Sequence, residues 1–450
     1  MNTEQKKDHL MTDGNIPKQI LVFAIPLILG NLLQQLYNTA DSIIVGNFVG
    51  SNALAAVGSS TSLICMLIAF GQGAAVGAGV IVSQYLGARQ KNQVQDAVHT
   101  AMAMAVLLGV VLSVVGALLS RPLLLWMQTP EEVLGDSTTY LRIYFAGTLF
   151  NIMYNMASGI LNAAGDSKRS LIYLACASVT NIGLDLLLVG ALNMGVAGAA
   201  IATDASQLVS SVLAVWHLVR VRTDYQVTLR KIRIHKKMAV RIIQVGLPTA
   251  IQNMVISFSN VLVQSSVNLY GADAMAGFGA YMKIDGFNIL PVLSISMSAT
   301  TFVGQNYGAG RLDRVKKGMW VTIIMGVIYT VVVGGLLLLC ANPLMRMFTS
   351  NAEAIVYGKL AMRYFCPFYF LLSIMYGFAG TVRGVGKSVP PMVILLFAMC
   401  LFRIAWIQFI LPHFATINGI FLLYPVSWTI GMSLMALYTW KGKWLNHAKV

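Results

Sequence analysis

Residues 16–50 read IPKQILVFAIPLILGNLLQQLYNTADSIIVGNFVG. This is one long apolar run with a proline, Pro26, in its first half and a carboxylate, Asp41, toward its far end. Gln34, Tyr37, Asn38 and Asp41 stand at i, i+3, i+4 and i+7, which puts them on one stripe of a helix. An ionisable group inside a membrane span is costly and faces a protein interior or a water-filled cavity. A helix surrounded by lipid has no use for such a stripe. The rest of the chain must therefore supply what it faces.

Composition agrees with a membrane solvent. Of 450 residues, 57% are hydrophobic and 10% charged, and the mean hydropathy is +0.71. A soluble chain carries about a quarter charged residues. Twelve apolar runs have the roughly 20 residues a transmembrane helix needs. They lie at about 17–41, 53–80, 95–119, 138–161, 169–190, 195–218, 240–269, 274–303, 317–341, 356–381, 389–411 and 416–440. Lys and Arg number 31 against 16 Asp and Glu. Their placement excludes nucleic acid as the reason. They fall in alternate loops: Lys6, Lys7 and Lys18; Arg89 and Lys91; Lys168 and Arg169; the 219–239 connection; Arg311, Arg314, Lys316 and Lys317; Arg383 and Lys387; Lys441, Lys443 and Lys449. The positive-inside rule then predicts that both termini are cytoplasmic. The first fifteen residues are polar and lack an apolar signal core, so insertion is expected to begin with the first helix. The five Cys all sit in apolar runs without paired spacing and read as small hydrophobes, with no disulfide framework or metal site.

The chain repeats itself. Val82-Ser-Gln-Tyr-Leu-Gly-Ala-Arg89 matches Val303-Gly-Gln-Asn-Tyr-Gly-Ala-Gly310 at an offset of 221 residues. The same offset carries Gly50 to Gly271, Gly58 to Gly279, Gly159 to Gly380, Ser167 to Ser388 and Ser206 to Ser427. Pro26 maps to Pro248 at 222, so one residue is gained in or just after the first helix. Each half has six spans and starts on the same side, which makes the repeats parallel. The expected organisation is a tail (1–15), an N-lobe (16–218), a basic cytoplasmic linker (219–239), a C-lobe (240–440) and a second tail (441–450). The linker, with TLRKIRIHKK at its heart, reads as a solvated connection or as a segment on the inner membrane surface. The fold class is thus all-α integral membrane, twelve helices in two six-helix pseudo-symmetric lobes around a central cleft. That is the geometry of an alternating-access carrier.

Pro26, Asn38-Thr-Ala-Asp41, Gly46, Ala53-Leu-Ala-Ala-Val-Gly58, the paired Gln84–Ala88 and Gln305–Ala309 loops and Gly165-Asp-Ser-Lys168 together resemble the multidrug and toxic compound extrusion (MATE) transporters. The resemblance runs over about 16–440. It implies secondary active efflux of organic, often cationic, compounds driven by H⁺ or Na⁺. The chain is most similar to the damage-inducible F-type subgroup, whose cation site lies in the N-lobe. The matching positions are Asp41, Asn181, Asp185 and Thr203. The other subgroup uses a Glu in the seventh span and an Asp in the tenth. Here 240–269 and 356–381 hold neither.

The residues permit an independent check of that quartet. Asn181 and Asp185 are i, i+4 and share a helix face. With cytoplasmic termini, all four groups fall in the outer half of their spans. Oxygen ligands suit Na⁺, and a close carboxylate pair suits H⁺. At the repeat offset, Asn181, Asp185 and Thr203 become Phe402, Trp406 and Tyr424, and Asp41 falls on Leu262 or Val263. The scaffold therefore does not demand the polar set, although Asn181 and Asp185 could also serve as interhelical glue.

Other intramembrane polar groups invite roles. Lys283, Asp285 and Arg403 form a candidate C-lobe ion pair in which Asp285 takes one of the two cations, or they contact substrate. A substrate cavity is expected to use Gln34, Tyr37, Asn38, Asn155, Met156 and Asp285, because Met-bearing surfaces repack around varied ligands. Pro26 is the expected hinge. Gly71, Gly73, Gly77 and Gly79 mark close helix packing. Asp204, beside Thr203, has no evident role. No phosphate-binding G-x-x-x-x-G-K-[ST] is present and the six His are scattered, so enzymatic and cofactor chemistry are not expected. The leading function is drug efflux across the plasma membrane of a prokaryote, by a monomer whose partners are organic cations and the lipid bilayer. A lipid-linked precursor flippase or a metabolite transporter of the same superfamily is the alternative.

Overall fold

A computed structural model describes residues 10–414, 416–442, 444 and 445. Lys6, Lys7, Lys443 and Lys449 lie outside them. The described chain is helical: α1 (Ile16–Phe48), α2 (Ser51–Gly87), α3 (Lys91–Trp126), α4 (Glu131–Ala146), α5 (Thr148–Ala163), α6 (Ser167–Asp185), α7 (Gly195–Arg220), α8 (Lys236–Asn268), α9 (Ala272–Gly308), α10 (Leu312–Leu339), α11 (Ala341–Arg346), α12 (Ala352–Phe365), α13 (Tyr369–Gly384), α14 (Val389–Leu396), α15 (Phe402–Ala405) and α16 (Asn418–Lys441). The protein is a multi-pass membrane protein. Val106, Leu107, Val110, Val111, Val114 and Leu118 of α3 are exposed, as are Ile324, Ile328, Val331 and Val332 of α10. In water such stripes would be untenable. In hydrocarbon they are the expected outer surface.

Among the described residues, eleven helical stretches are long and apolar enough to cross a membrane. The sequence led to twelve runs, and the difference is the run at 138–161. It is broken at Gly147 into α4 and α5, each 16 residues long. The break has a physical cause. The Asp204 carboxyl of α7 occupies the space where a Cβ of residue 147 would go. Ser113 of α3 braces the break from another side: its hydroxyl accepts from the Leu149 N–H (3.2 Å) and donates to the Ala146 carbonyl (3.4 Å). The second half breaks at the equivalent place by other means. Cys366-Pro367-Phe368 is a 3₁₀ turn between α12 and α13. Proline has no N–H to continue the ladder. Gly334, the counterpart of Ser113, leaves room for the Cys366 carbonyl, which would lie 2.7 Å from a Cβ there.

The repeat is visible throughout. α1 and α8 have 33 residues each, with Pro26 and Pro248 inside them. α2 and α9 have 37 each, entered through Gly50 (φ 113°) and Gly271 (φ 98°). These φ values lie in the left-handed region that glycine tolerates. α6 passes into a π-helical turn at Leu186–Ala191, and the second half has one at Trp406–Ile410.

The chain forms two compact units, which change over inside α1 and α8. One holds Ile25–Ala250 and the other Met11–Ala24 with the residues from Ile251 on. Both changeovers lie within two or three residues of the prolines, so Pro26 and Pro248 occupy equivalent positions. In the first unit, the start of α8 packs on α2. A Cβ on Gly73 would come within 2.6–2.8 Å of Gly246 and Ala250, and Gly79 faces Gly159 of α5. The glycine run is close helix packing, as its spacing suggests. Arg241 lies 4.9 Å from the centre of the Tyr85 ring and donates to Gln84 Oε1 (3.2 Å).

In the second unit, residues 11–19 are strapped to the turn between α9 and α10. Met11 N–H donates to Gln305 Oε1 (2.6 Å), and Arg314 reaches the carbonyls of Met11 (3.2 Å) and Gly14 (2.9 Å) and Gln19 Oε1 (3.0 Å). Arg311 pairs with Asp13 (2.6 Å).

The 219–239 connection lies in the first unit against α3. Lys91 pairs with Asp224 (3.2 Å), and the Gln95 amide donates to the Asp224 and Gln226 carbonyls (2.5 and 3.2 Å). The Thr228 N–H donates to His99 Nε2 (2.9 Å), and the His235 N–H to Thr100 Oγ1 (3.1 Å). Its backbone is held by α3 side chains rather than by solvent alone.

Candidate functional site

The polar stripe of α1 divides as it packs. Tyr37 and Asp41 turn inward and are buried, Gln34 is half-buried, and Asn38 is exposed. Residues four apart on a helix are about 40° out of line, enough to place one at the protein face and the other outside it. Asn38 therefore does not join the inward group. The Tyr37 hydroxyl lies within hydrogen-bonding range of Gln34 and of Gln207 on α7.

Asp41 faces α6. Asn181 and Asp185 there are fully buried, and the Asp185 carboxyl is a close neighbour of that of Asp41. Asp185 is the last residue of α6 before the π-helical turn. Such turns are frequent at functional sites, because the extra residue re-aims side chains. Among the described residues, Asp41 Oδ1, both Asp185 oxygens and both amide atoms of Asn181 are buried with no hydrogen-bond donor or acceptor. Buried polar atoms without partners are rare, and each calls for an explanation. Two neighbouring carboxyls, with an amide oxygen one turn away on the same helix, are the kind of oxygen ligands a small cation takes. Thr203 of α7 is half-buried, and Ser206 Oγ donates to its carbonyl (2.7 Å).

Three groups near this seat escaped sequence reasoning. Tyr140 and Tyr144 of α4 are buried, and Tyr140 has Asp41, Asp185 and Asp204 as charged neighbours. Their i, i+4 spacing is the only signal, and it is shared by ordinary core tyrosines. Asp204, which the sequence left without a role, stands against the Gly147 break and is near both tyrosines. Its carboxylate inside a span was a signal. Its partner, a distant glycine, was not readable.

Of the other cavity positions, Met156 is fully buried, and Asn155 donates to the Asn151 carbonyl (2.8 Å) and side chain (3.0 Å) of its own helix.

In the second unit the expected ion pair does not form. Among the described residues no salt bridge joins Lys283, Asp285 and Arg403. Lys283 and Asp285 are two apart and point to different faces, and Lys283 is exposed. Asp285 is instead met by two tyrosines. Tyr281 donates to its Oδ1 (3.2 Å) and Tyr369 donates to the same oxygen, which brings the two hydroxyl oxygens close together. Arg403 is 1% exposed and is satisfied by neutral groups. It donates to Ser427 Oγ (3.2 Å) and Asn260 Oδ1 (3.2 Å), and lies 4.5 Å from the centre of the Tyr424 ring. A guanidinium over an aromatic face is held electrostatically without a carboxylate.

Known proteins resemble the chain over both of its halves. The MatE family model matches residues 26–187 and 248–407, once in each half. A probable multidrug resistance protein of Bacillus subtilis, YoeA, is 28% identical over 442 residues, covering 95% of this chain and 94% of that protein. A second from the same organism, YpnP, is 29% identical over 398 residues, covering 88% and 89%. Among solved structures, a MOP superfamily transporter from Pyrococcus furiosus, described as having a binding pocket of reverse polarity that suggests a different function, superposes with a TM-score of 0.92. It is 24% identical and covers 99% of this chain and 100% of its own.

Proposed function

The chain belongs to the MatE family, whose members are transporters and not enzymes, and from that premise we propose that it is a secondary active multidrug exporter. It extrudes organic, mainly cationic or amphiphilic, compounds in exchange for H⁺ or Na⁺ by alternating access. The reading takes α4 and α5 together as one span, which gives twelve in two halves of six. Both termini are cytoplasmic, because the basic loops share one side. The membrane is the plasma membrane of a prokaryote, a reading supported by the bacterial source of the relatives.

One observation carries the coupling part: Asp41 Oδ1, Asn181 Oδ1 and both Asp185 oxygens are buried acceptors that no protein donor reaches among the described residues. A cation supplies what is missing. H⁺ would bridge the two carboxyls. Na⁺ would take oxygens from Asp41, Asp185 and Asn181, with Thr203 one helix away. Filling the seat changes the charge on the outer half of α1. The helix responds near Pro26, where its hydrogen-bond ladder lacks a donor, and drug affinity falls on the outer side.

Proteoliposomes with an imposed pH gradient or an imposed Na⁺ gradient test this reading. One gradient is expected to drive ethidium extrusion, and Asp41→Asn is expected to abolish the driven component while the protein still folds. Driven extrusion that survives in that variant would rule out the N-lobe seat.

A further inference from the structure

The carboxylate of Asp285 is arranged differently from those of the first half. Both of its tyrosine donors go to one oxygen, Oδ1. Among the described residues no protein donor reaches Oδ2, and Oδ2 is not among the buried unpaired atoms. The residue as a whole is half-buried. One oxygen is therefore fixed and the other is open. The fixing groups are themselves rigid. Tyr281 and Tyr369 are each 1% exposed. Phe365 packs edge-on against Tyr281 (5.2 Å between centroids), and Trp428 stacks on Tyr369 (5.5 Å). Rings so packed hold the carboxylate in one orientation and surround it with aromatic surface.

Among the described residues no cation pairs with the open oxygen. Of the two buried arginines of this unit, Arg383 donates to Gln252 Oε1 (3.4 Å), and Arg403 lies over Tyr424 and bonds Ser427 and Asn260. We propose that Asp285, oriented by Tyr281 and Tyr369, is a specificity-determining seat for the cationic centre of an organic ammonium or iminium substrate. The open oxygen pairs with the positive group, and a single free carboxylate oxygen in largely apolar surroundings favours an organic cation over a hydrated metal ion, which takes six or more oxygens. The substrate-recognition role is separate from the coupling seat on α1 and α6, and it rests on the efflux reading given above.

Binding to the purified full-length protein tests it with a matched pair of probes. Ethidium is a permanent phenanthridinium cation, and phenanthridine is uncharged at mildly alkaline pH. The wild-type protein is expected to prefer ethidium by about tenfold or more, the weight of one partly buried ionic contact. Asp285→Asn is expected to erase most of that preference while leaving phenanthridine binding unchanged. Tyr369→Phe, which keeps the ring and removes one donor, is expected to reduce the preference by a smaller factor. It also serves if Asp285→Asn does not fold. An unchanged probe ratio in both variants overturns the seat while leaving efflux standing. A wild-type protein that binds neither probe overturns the seat together with the cationic-drug reading.

Discussion

The two halves build the same corner with opposite chemistry. In the first, α1 and α6 bring Asp41, Asn181 and Asp185 into a buried group with unsatisfied oxygens. At the equivalent positions of the second stand Val263, Phe402 and Trp406, with Tyr424 where the first half has Thr203. Val263 is fully buried, and Trp406 is buried with its indole N–H donating to the Gly419 carbonyl (2.9 Å). One scaffold therefore accepts either filling. A fold that closes equally well over aromatic and aliphatic groups has no structural need for two carboxyls. Each half also breaks a helical run at the equivalent place, α4 from α5 by a glycine and an aspartate and α12 from α13 by a proline. The skeleton is symmetric and the chemistry is not. Polar departures from the repeat are thus the places to look for function.

The largest contrast should appear in transport. Asp185→Leu is expected to abolish ion-driven efflux, whereas Trp406→Leu, at the equivalent position, should retain it with some loss of stability. Equal effects of the two would break the comparison, because the polar corner would then be no more functional than the aromatic one. Efflux rates in proteoliposomes, normalised to the amount of folded protein, decide this.

The next contrast concerns the broken spans. Gly147→Ala pushes a methyl into the Asp204 carboxyl, and overpacking of this kind costs about 1–3 kcal/mol. At the repeat offset the second half has Phe368 in place of Gly147 and Pro425 in place of Asp204, so the glycine and the aspartate are exchanged together. The double variant Gly147→Ala with Asp204→Ala should therefore recover most of the lost stability. Non-additivity in thermal unfolding is the readout. Simple additivity would mean that Asp204 does not hold the break.

Much of this asymmetry could be read from the chain itself, for reasons of distance along it. The repeat offset, the stripe on α1 and the i, i+4 spacing of Asn181 and Asp185 are local or periodic, and periodicity survives folding. Asp41 meeting Asp185 was reached through family resemblance and depth, not through spacing. What stayed hidden depends on tertiary approach. Gly147 is one glycine in an apolar run, and nothing nearby announces that Asp204 will fill its missing Cβ. Tyr140 and Tyr144 look like any buried pair. Asp285 was readable as a costly intramembrane charge, but the expectation that it would find a cation was wrong. Two tyrosine hydroxyls satisfy one of its oxygens, and Arg403 is content with an aromatic face and neutral acceptors. The changeovers in α1 and α8 are equally silent in sequence, because the prolines mark a weak ladder without saying which neighbours flank it.

The smallest contrast lies at the basic end, where each half secures its Gln-x-x-Gly-Ala turn with an arginine. Arg241 stacks on Tyr85 and bonds Gln84 in the first. In the second, Arg314 lies over Phe302 (5.6 Å) and bonds Asn306 (2.9 Å), Gly14 and Gln19. Arg314 holds a strap of chain as well as a turn, so Arg314→Ala should loosen residues 11–19 and cost about 1–2 kcal/mol through lost charged hydrogen bonds. Arg241→Ala should cost less, and faster amide exchange confined to residues 11–19 in the first variant would mark the difference. The neighbouring Arg311–Asp13 pair adds a pH signature. The Arg311 guanidinium holds the exposed Asp13 carboxyl below its usual range. A carboxyl lowered by folding contributes above its unfolded value of 3.8 and loses that contribution as pH falls through the lower folded value. Strap protection should therefore be flat through neutral pH and fall only in strong acid. A fall near neutrality would mean that some other group secures the strap.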